Sequence, residues 1–182
     1  VAFGSNASGI RADSKDFAGL DAFVLVDASN AERYRPRAGS EAAGALTESE
    51  VRAILSSALR TANRSRAQIR RPLGTPARVT VSVVDSAGNI LGIVRTRDAP
   101  VFGVDVSLQK ARTAEFFSNP VAATAVAAMP NVVHLDRTLK VLRSEPLSQF
   151  VTASRSLLGV PTAFGDGQYA FSARAIGKIG RA

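Results

Sequence analysis

The sequence predicts a protein of the α/β class in its α+β form, with an antiparallel sheet flanked by helices. Residues 79–84 form a β-branched run that alternates with polar residues, and a second apolar run follows at residues 90–94. Residues 51–62 carry an apolar stripe with the helical period. Two strands joined by a short turn pair antiparallel, and an amphipathic helix beside them buries its apolar face on the sheet.

The turn between the two predicted strands has its own sequence signal. Residues 85–89 (Asp-Ser-Ala-Gly-Asn) tolerate positive φ, so the chain reverses there and makes a hairpin. Gly92 interrupts the second strand. A glycine inside a strand predicts either a bulge or a close approach of another group to the backbone.

A second helix is predicted after the hairpin. Asp105 or Ser107 is expected to cap its start. Asn119 is expected to end it, because Pro120 disfavours the α region at the preceding residue. The residues expected to face the core are Leu108, Ala111, Ala114 and Phe117.

The helix before the hairpin has the clearest start signal in the chain. Thr47, with Glu50 three residues later, is a capping box. The helix is expected to run out near Pro72, with arginines on its polar face. Its apolar stripe is Val51, Ile54, Leu55, Ala58, Leu59 and Ala62.

We expect residues 1–45 to be an extended amino-terminal arm and residues 46–182 to be the domain proper. Within the arm, residues 23–27 read as a short strand, followed by a turn at residues 28–30 and a return segment. A strand on an arm is suited to reach the sheet edge of a neighbouring subunit. We therefore expect a homo-oligomer, or a subunit of a larger assembly.

The carboxy-terminal part predicts mainly helices. Residues 121–129 are alanine rich and end at Pro130. Residues 133–142 and 147–158 are expected to be two further helices separated by Pro146.

Composition limits the classes of function. With 182 residues and 46% hydrophobic residues the chain can bury a core, and no apolar run approaches the about 18 residues of a membrane span. The lack of cysteine excludes disulfides and thiolate metal sites. We expect the chain to be a processed piece of a longer protein, and the Ser- and Asn-rich arm favours an exported protein, periplasmic or extracellular, with a cytoplasmic one as the alternative.

The net charge of +8 comes from 19 arginines and 4 lysines, against 15 acidic residues. Such a charge suits an anionic partner, but two tyrosines and no tryptophan offer little for base stacking, which argues against nucleic acid. The arginines between the first helix and the hairpin could bind propionates, phosphates or an acidic partner, or could form a solvated helix face that complements the helix dipole. They are Arg60, Arg64, Arg66, Arg70, Arg71 and Arg78.

No catalytic or metal site is indicated, so an enzyme is not expected. His134 is the only histidine, and no Gly-x-Ser-x-Gly elbow is present. The sequence contains no cluster of His, Cys and carboxylate ligands, no P-loop, and no Gly-x-Gly-x-x-Gly after a strand.

Residues 78–120 resemble the GlcG/HbpS family of haem-binding domains, which includes the carboxy-terminal domain of PduO-type proteins. The likeness is carried by residues 83–91, by Arg95 with residues 98–100 (Asp-Ala-Pro), and above all by residues 109–114 (Gln-Lys-Ala-Arg-Thr-Ala). The family pattern is a strand ending in Val-Asp-x-x-Gly, a hydrophobic strand, Arg-x-Asp-x-Ala, and a helix with Lys-Ala-x-Thr-Ala. The resemblance implies a profilin-like sheet.

In this family haem lies against the surface around the hairpin and the Lys-Ala-x-Thr-Ala helix. The resemblance therefore implies Lys110 and Thr113 as haem-binding residues, with Arg112 or Arg95 available for the propionates. The plainer alternative is an exposed helix face in which Lys110 and Arg112 pair with Glu115, and an ordinary helix position for Thr113.

His134, or Met129, could supply an axial ligand to haem iron, although a lone histidine in an apolar segment is more often structural. The family closes its sheet with a Gly-Val-Pro, an Asp-Gly and a final strand. Residues 159–161 and 166–167 match the first two, and residues 169–171 would begin the strand, but residues 172–178 look more helical.

The function expected from sequence is non-catalytic binding of haem or a related tetrapyrrole. The alternative is an accessory structural subunit of a larger assembly that keeps the fold without the ligand. A third and weaker reading is an anion or nucleic-acid binder.

Overall fold

The computed structural model describes residues 5–69 and 71–168, and it divides the chain into two compact units. The first unit extends to Arg112 and the second begins at Thr113. Antiparallel strands and helices both occur, which confirms the predicted α+β class.

The strands are β1 (Ile10–Ala12), β2 (Phe23–Leu25), β3 (Thr80–Val84), β4 (Ile90–Arg95), β5 (Val132–Asp136) and β6 (Val141–Glu145). The helices are α1 (Glu48–Arg64), α2 (Gly103–Ser118), α3 (Ala122–Ala127) and α4 (Ser148–Leu158). In the first unit the strands form one antiparallel sheet in the order β1-β2-β4-β3.

The predicted central hairpin is confirmed as β3 and β4. Val83 pairs with Gly92, but the next residue, Val84, pairs with Ile90, so one residue of β4 is left over as a bulge. A Cβ on Gly92 would lie 2.8 Å from Leu55 Cδ1. Gly92 is therefore required because α1 approaches the backbone of β4 closely.

The amino-terminal segment is part of the same sheet. β1 pairs with β2, and Phe17 between them is buried in the core of this unit. After the predicted turn, the return segment runs beside β4, where the Ile93 amide donates to the Tyr34 carbonyl and the Arg37 amide donates to the Leu91 carbonyl. The strand, turn and return predicted in this segment are thus present, although β2 is shorter than predicted.

The capping box at the start of α1 is confirmed. Thr47 Oγ1 accepts from the Glu50 amide at 3.3 Å, and Glu50 Oε2 accepts from the Thr47 amide at 2.8 Å. The helix ends at Arg64 with Ser65 as its C-cap, well before Pro72. The core of the first unit joins one face of α1 to the sheet through Val51, Leu55, Leu59, Val24, Leu91 and Val94.

The predicted capping residues of α2 are wrong, but its end is confirmed. The helix begins at Gly103, because hydrogen bonds from Gly103 to Pro100 and from Val106 to Phe102 start the winding before Asp105. It ends at Ser118, just before the Asn-Pro pair. None of its residues is fully buried, so the expected core-facing residues are half-buried at most.

The helix predicted over residues 133–142 is wrong, because this segment forms the ribbon of β5 and β6. Asp136 Oδ1 accepts from the amides of Thr138 and Leu139 at 2.9 Å, and Lys140 adopts a φ of 58°, so local turn chemistry reverses the chain. The alanine-rich helix α3 and the last helix α4 are confirmed, and they share a small core in the second unit. The predicted closing strand lies outside the described residues.

No helix within residues 5–69 and 71–168 combines the length and apolarity that crossing a bilayer requires.

The contact between α1 and Gly92 gives a first prediction. Gly92→Val should lower the free energy of unfolding by about 1–3 kcal/mol, because the added methyl groups overlap Leu55 in a closed core. Urea denaturation measures this loss. In the double variant Gly92→Val/Leu55→Ala the loss should be smaller than the sum of the two single losses. A Gly92→Val protein as stable as the wild type would contradict the close approach.

Candidate functional site

The aspartate of the family-like hairpin turn is a structural residue. Asp85 is 3% exposed, and its Oδ1 accepts from the amides of Ala87 and Asn89 at 3.0 and 2.8 Å. Its Oδ2 accepts from Ser40 Oγ at 2.7 Å and from Asn89 Nδ2 at 3.0 Å. Burial alone would raise the pKa of Asp85, but hydrogen bonds from Ser40 and Asn89 outweigh burial and hold the pKa far below its ordinary value.

Arg112 connects α2 to this turn. Its Nε donates to the Gly88 carbonyl at 3.0 Å, and its Cγ lies 3.6 Å from the position that a Cβ of Gly88 would take. Gly88 has a φ of 77°, which the turn needs. The guanidinium therefore contacts the backbone of the hairpin, while the residue as a whole is exposed to solvent.

Arg95 is buried at the end of β4, with no exposed surface. Its Nη2 donates to the Ala99 carbonyl, and Asp98 between them adopts a φ of 55°. Burial lowers the pKa of the Arg95 guanidinium, and the charge of Asp98 acts in the opposite direction. The Arg-x-Asp-x-Ala pattern thus forms a turn after the strand, and a propionate at the surface would reach Arg95 only if the side chain moved.

An open cleft of about 240 Å³ lies between the start of β3 and the first turns of α2. Phe102 is 70% exposed there, and Val79 and Val106 are each 36% exposed. The lining combines these apolar side chains with two cations and small residues; it consists of Arg78, Val79, Thr80, Pro100, Phe102, Gly103, Val106, Ser107 and Lys110.

The two cations of the cleft differ in their freedom. Arg78 Nη1 lies 3.2 Å from Asp21 Oδ2, so it is held by an ion pair. Lys110 is exposed and forms no ion pair within the part of the chain that the structure describes. The ion pair of Lys110 or Arg112 with Glu115, the alternative offered by the sequence, is likewise not formed among the described residues. Glu115 instead accepts a hydrogen bond from Asn119 Nδ2 at 3.2 Å.

Small residues allow α2 to lie directly on β3. A Cβ on Gly103 would be 3.3 Å from Thr80 Oγ1, and one turn later Ser107 Oγ lies 2.7 Å from Ser82 Oγ. Thr80 Oγ1 is buried in the cleft wall and has no hydrogen-bond partner among the described residues.

The structure groups only some of the residues predicted for the site. Lys110 and Arg112 lie together on the part of α2 that belongs to the first unit. Thr113 is half-buried three positions after Lys110, just past the unit boundary. His134 is exposed on β5 in the second unit, opposite Arg143.

Sequence reasoning did not select Phe102, Val79 and Val106, which provide the apolar part of the cleft. The available signal was the pair Val101 and Phe102, two large apolar residues inside an otherwise polar connection. The sequence places Arg78 in the arginine cluster, with no signal that it borders a cleft. No group of three or more His, Cys, Asp or Glu side chains is arranged to hold a metal ion within residues 5–69 and 71–168.

The fold and the cleft define a small α+β domain that offers an exposed apolar surface bordered by cations. The chain belongs to the HbpS-like family: the family model described as haem degrading protein HbpS-like matches residues 46–175. This match confirms the resemblance found in the sequence and covers well over half of the chain. No curated protein and no solved structure matches the chain significantly.

The turn around Asp85 gives a prediction about pH. Asp85→Asn should lower the free energy of unfolding by about 1–3 kcal/mol at neutral pH, because a buried acceptor of four hydrogen bonds is altered. The folded-state pKa is depressed, so the carboxylate stabilises the fold above the unfolded-state pKa of about 3.9 and loses that effect as pH falls through the folded-state value. Urea titrations of both proteins from neutral pH into this acidic range should therefore converge; Asp105→Asn controls for loss of an exposed negative charge.

A further prediction tests whether Arg95 stabilises the fold. Arg95→Met should cost about 1–3 kcal/mol of unfolding free energy, because the Ala99 carbonyl loses its donor in a buried turn. Arg97→Met is the matched control, since Arg97 is exposed and makes a surface ion pair with Asp21. Thermal unfolding measures both, and equal midpoints for the two variants would contradict a structural role for Arg95.

Proposed function

We propose that the first unit binds haem, or a related tetrapyrrole, in the cleft between β3 and α2 and does not transform it. The observation that carries this proposal is that Lys110, which has no ion-pair partner among residues 5–69 and 71–168, lines the same cleft as the exposed ring of Phe102. The description of the family as haem degrading supports haem as the ligand class, while binding without chemistry is our own inference.

The chemistry of the cleft suits an amphiphilic anion. A tetrapyrrole has a flat apolar ring and carboxylates along one edge. Phe102, Val79 and Val106 offer an apolar surface for the ring, and an exposed aromatic side chain is well suited to stacking. Lys110 is placed to pair with a carboxylate, while Arg78, which is held by Asp21, adds a second positive charge at the edge of the cleft.

The size of the cleft indicates how the ligand would be held. Its volume of about 240 Å³ is below the about 300–1,000 Å³ of enclosed small-molecule sites. A tetrapyrrole would therefore lie against the surface with one face in contact with solvent. Such a site suits reversible binding.

Among the residues that the structure describes, the lining of the cleft contains no histidine, cysteine, methionine or tyrosine, the ordinary axial ligands of haem iron. Bound haem would supply redox chemistry of its own, and the residues of the cleft would hold the ring and its carboxylates.

A second candidate is an accessory structural subunit of a larger assembly. The observation that favours it is the β5–β6 ribbon, where Val133, Leu135 and Leu142 are 64%, 55% and 74% exposed. A two-stranded ribbon with an exposed apolar face is rarely stable alone. In addition, Asp85 and Arg95 of the family-like pattern are already engaged in the hairpin itself.

A hemin titration of the purified chain, followed by Soret absorbance, tests the proposal. We expect a saturable, shifted band near one equivalent. Phe102→Ser should weaken binding about tenfold, through lost apolar contact, and Lys110→Gln about threefold, through a lost surface ion pair. The matched controls are Val121→Ser and Lys15→Gln, which alter exposed side chains outside the cleft and should leave the affinity unchanged.

Two further variants and two alternative outcomes complete the test. Thr113→Ala and His134→Ala show whether residues of the second unit take part. A non-saturating increase in absorbance would reject haem binding and favour the structural subunit, for which sedimentation should show association. Decay of the Soret band with a reductant in air would keep the binding site but overturn the non-catalytic part of the proposal.

A further inference from the structure

The connection between α1 and β3 has an unusual charge balance. Residues 51–84 contain seven arginines and no aspartate or glutamate. Most of these arginines lie near the end of α1 or in the loop that follows it, and neither the hairpin nor the cleft accounts for them. We call residues 65–77 the basic loop.

The base of the basic loop is ordered. The Ala77 amide donates to the Ser65 carbonyl at 3.1 Å, and the Ala67 amide donates to the Thr75 carbonyl at 3.1 Å. These two rungs, with the bridge between Arg66 and Pro76, make a short ladder at the base of the loop. Beyond it lies the tip, of which the structure describes residues 68–69 and 71–74.

The tip carries two aliphatic side chains with almost no cover. Ile69 is 90% exposed, more than any other large apolar side chain in the part of the chain described, and Leu73 is 69% exposed. Exposure of this extent is costly in water unless a partner covers it. In the sequence, Ile69 directly precedes Arg70, and Leu73 follows Arg71 after one proline.

The neighbouring arginines are available for a partner. Arg60, Arg64 and Arg71 are exposed and form no ion pair within the described ranges. Arg66 donates through Nη1 to the carbonyls of Asn63 and Arg64, both at 3.0 Å, so it also covers the end of the helix dipole.

We propose that the basic loop docks on an anionic lipid bilayer. Ile69 and Leu73 enter the boundary between headgroups and acyl chains, and Arg64 and Arg71 bind headgroup phosphates with paired hydrogen bonds.

The apolar tip decides between a membrane and nucleic acid. A single-stranded nucleic acid would need aromatic side chains for stacking, and residues 51–84 contain none. Two exposed aliphatic side chains gain nothing from a phosphate backbone but gain burial in lipid. The positive arginines complement anionic headgroups, and the aliphatic tip complements acyl chains. Together they favour a phospholipid surface as the partner.

Vesicle co-sedimentation of the full chain tests the proposal. We expect binding to vesicles of phosphatidylcholine mixed with phosphatidylserine and none to phosphatidylcholine alone, with loss in high salt. Arg64→Gln and Arg71→Gln should each weaken binding about fivefold, the equivalent of about 1 kcal/mol per basic residue. The double variant Ile69→Ser/Leu73→Ser should weaken it tenfold or more.

The matched controls are Arg137→Gln and Leu142→Ser, which remove an exposed cation and an exposed aliphatic side chain elsewhere. Neither should change vesicle binding. All variants lie outside the two cores, and unchanged thermal midpoints would verify that they fold.

A single-tryptophan reporter gives a second readout, since the chain has no tryptophan of its own. In Leu73→Trp the emission should shift to the blue on mixed vesicles and be quenched by brominated acyl chains. Unchanged emission, equal binding to neutral vesicles, or full binding by Ile69→Ser/Leu73→Ser would overturn the proposal. Tight binding of an oligonucleotide that is insensitive to the Ile69→Ser/Leu73→Ser change would assign the arginines to nucleic acid instead.

Discussion

The close contact between α1 and the backbone at Gly92 determines which face of the sheet in the first unit is covered by a helix. Because Leu55 fills the space that a side chain would take, one face of the sheet is closed by a tightly packed helix. Val81 and Val83 of β3 pack toward that core, so Thr80 and Ser82 project to the opposite face, where α2 lies. The cleft lies on this second face, where the hydroxyl side chains of β3 meet α2.

The residues that identify the family mostly hold the hairpin in shape. Asp85 fixes the turn, Arg95 fixes the exit from β4, and Arg112 joins α2 to the turn. The proposed ligand contacts come instead from less distinctive residues such as Phe102 and Val79. Membership of the family therefore supports the fold of the hairpin and α2. The choice of ligand depends instead on the side chains that this fold exposes.

Local signals predicted much of the fold. The capping box at Thr47 and the turn at residues 85–89 depend on neighbours in the sequence, so both could be derived from the sequence. The prediction of a helix at residues 133–142 is wrong, because the apolar residues of the β5–β6 ribbon are exposed and the turn depends on local hydrogen bonds to Asp136. The cleft could not be derived, since Phe102 and Thr80 meet only after α2 has packed on β3.

Helix α2 forms one wall of the cleft, yet none of its residues is fully buried. Two hydrogen bonds join it to the hairpin: one between the hydroxyls of Ser82 and Ser107, and one from Arg112 to the Gly88 carbonyl. Elements with little apolar burial open at the lowest free energy in a folded domain. A ligand bound in the cleft would stabilise α2 against this opening. Binding would therefore slow the exchange of the backbone amides along α2.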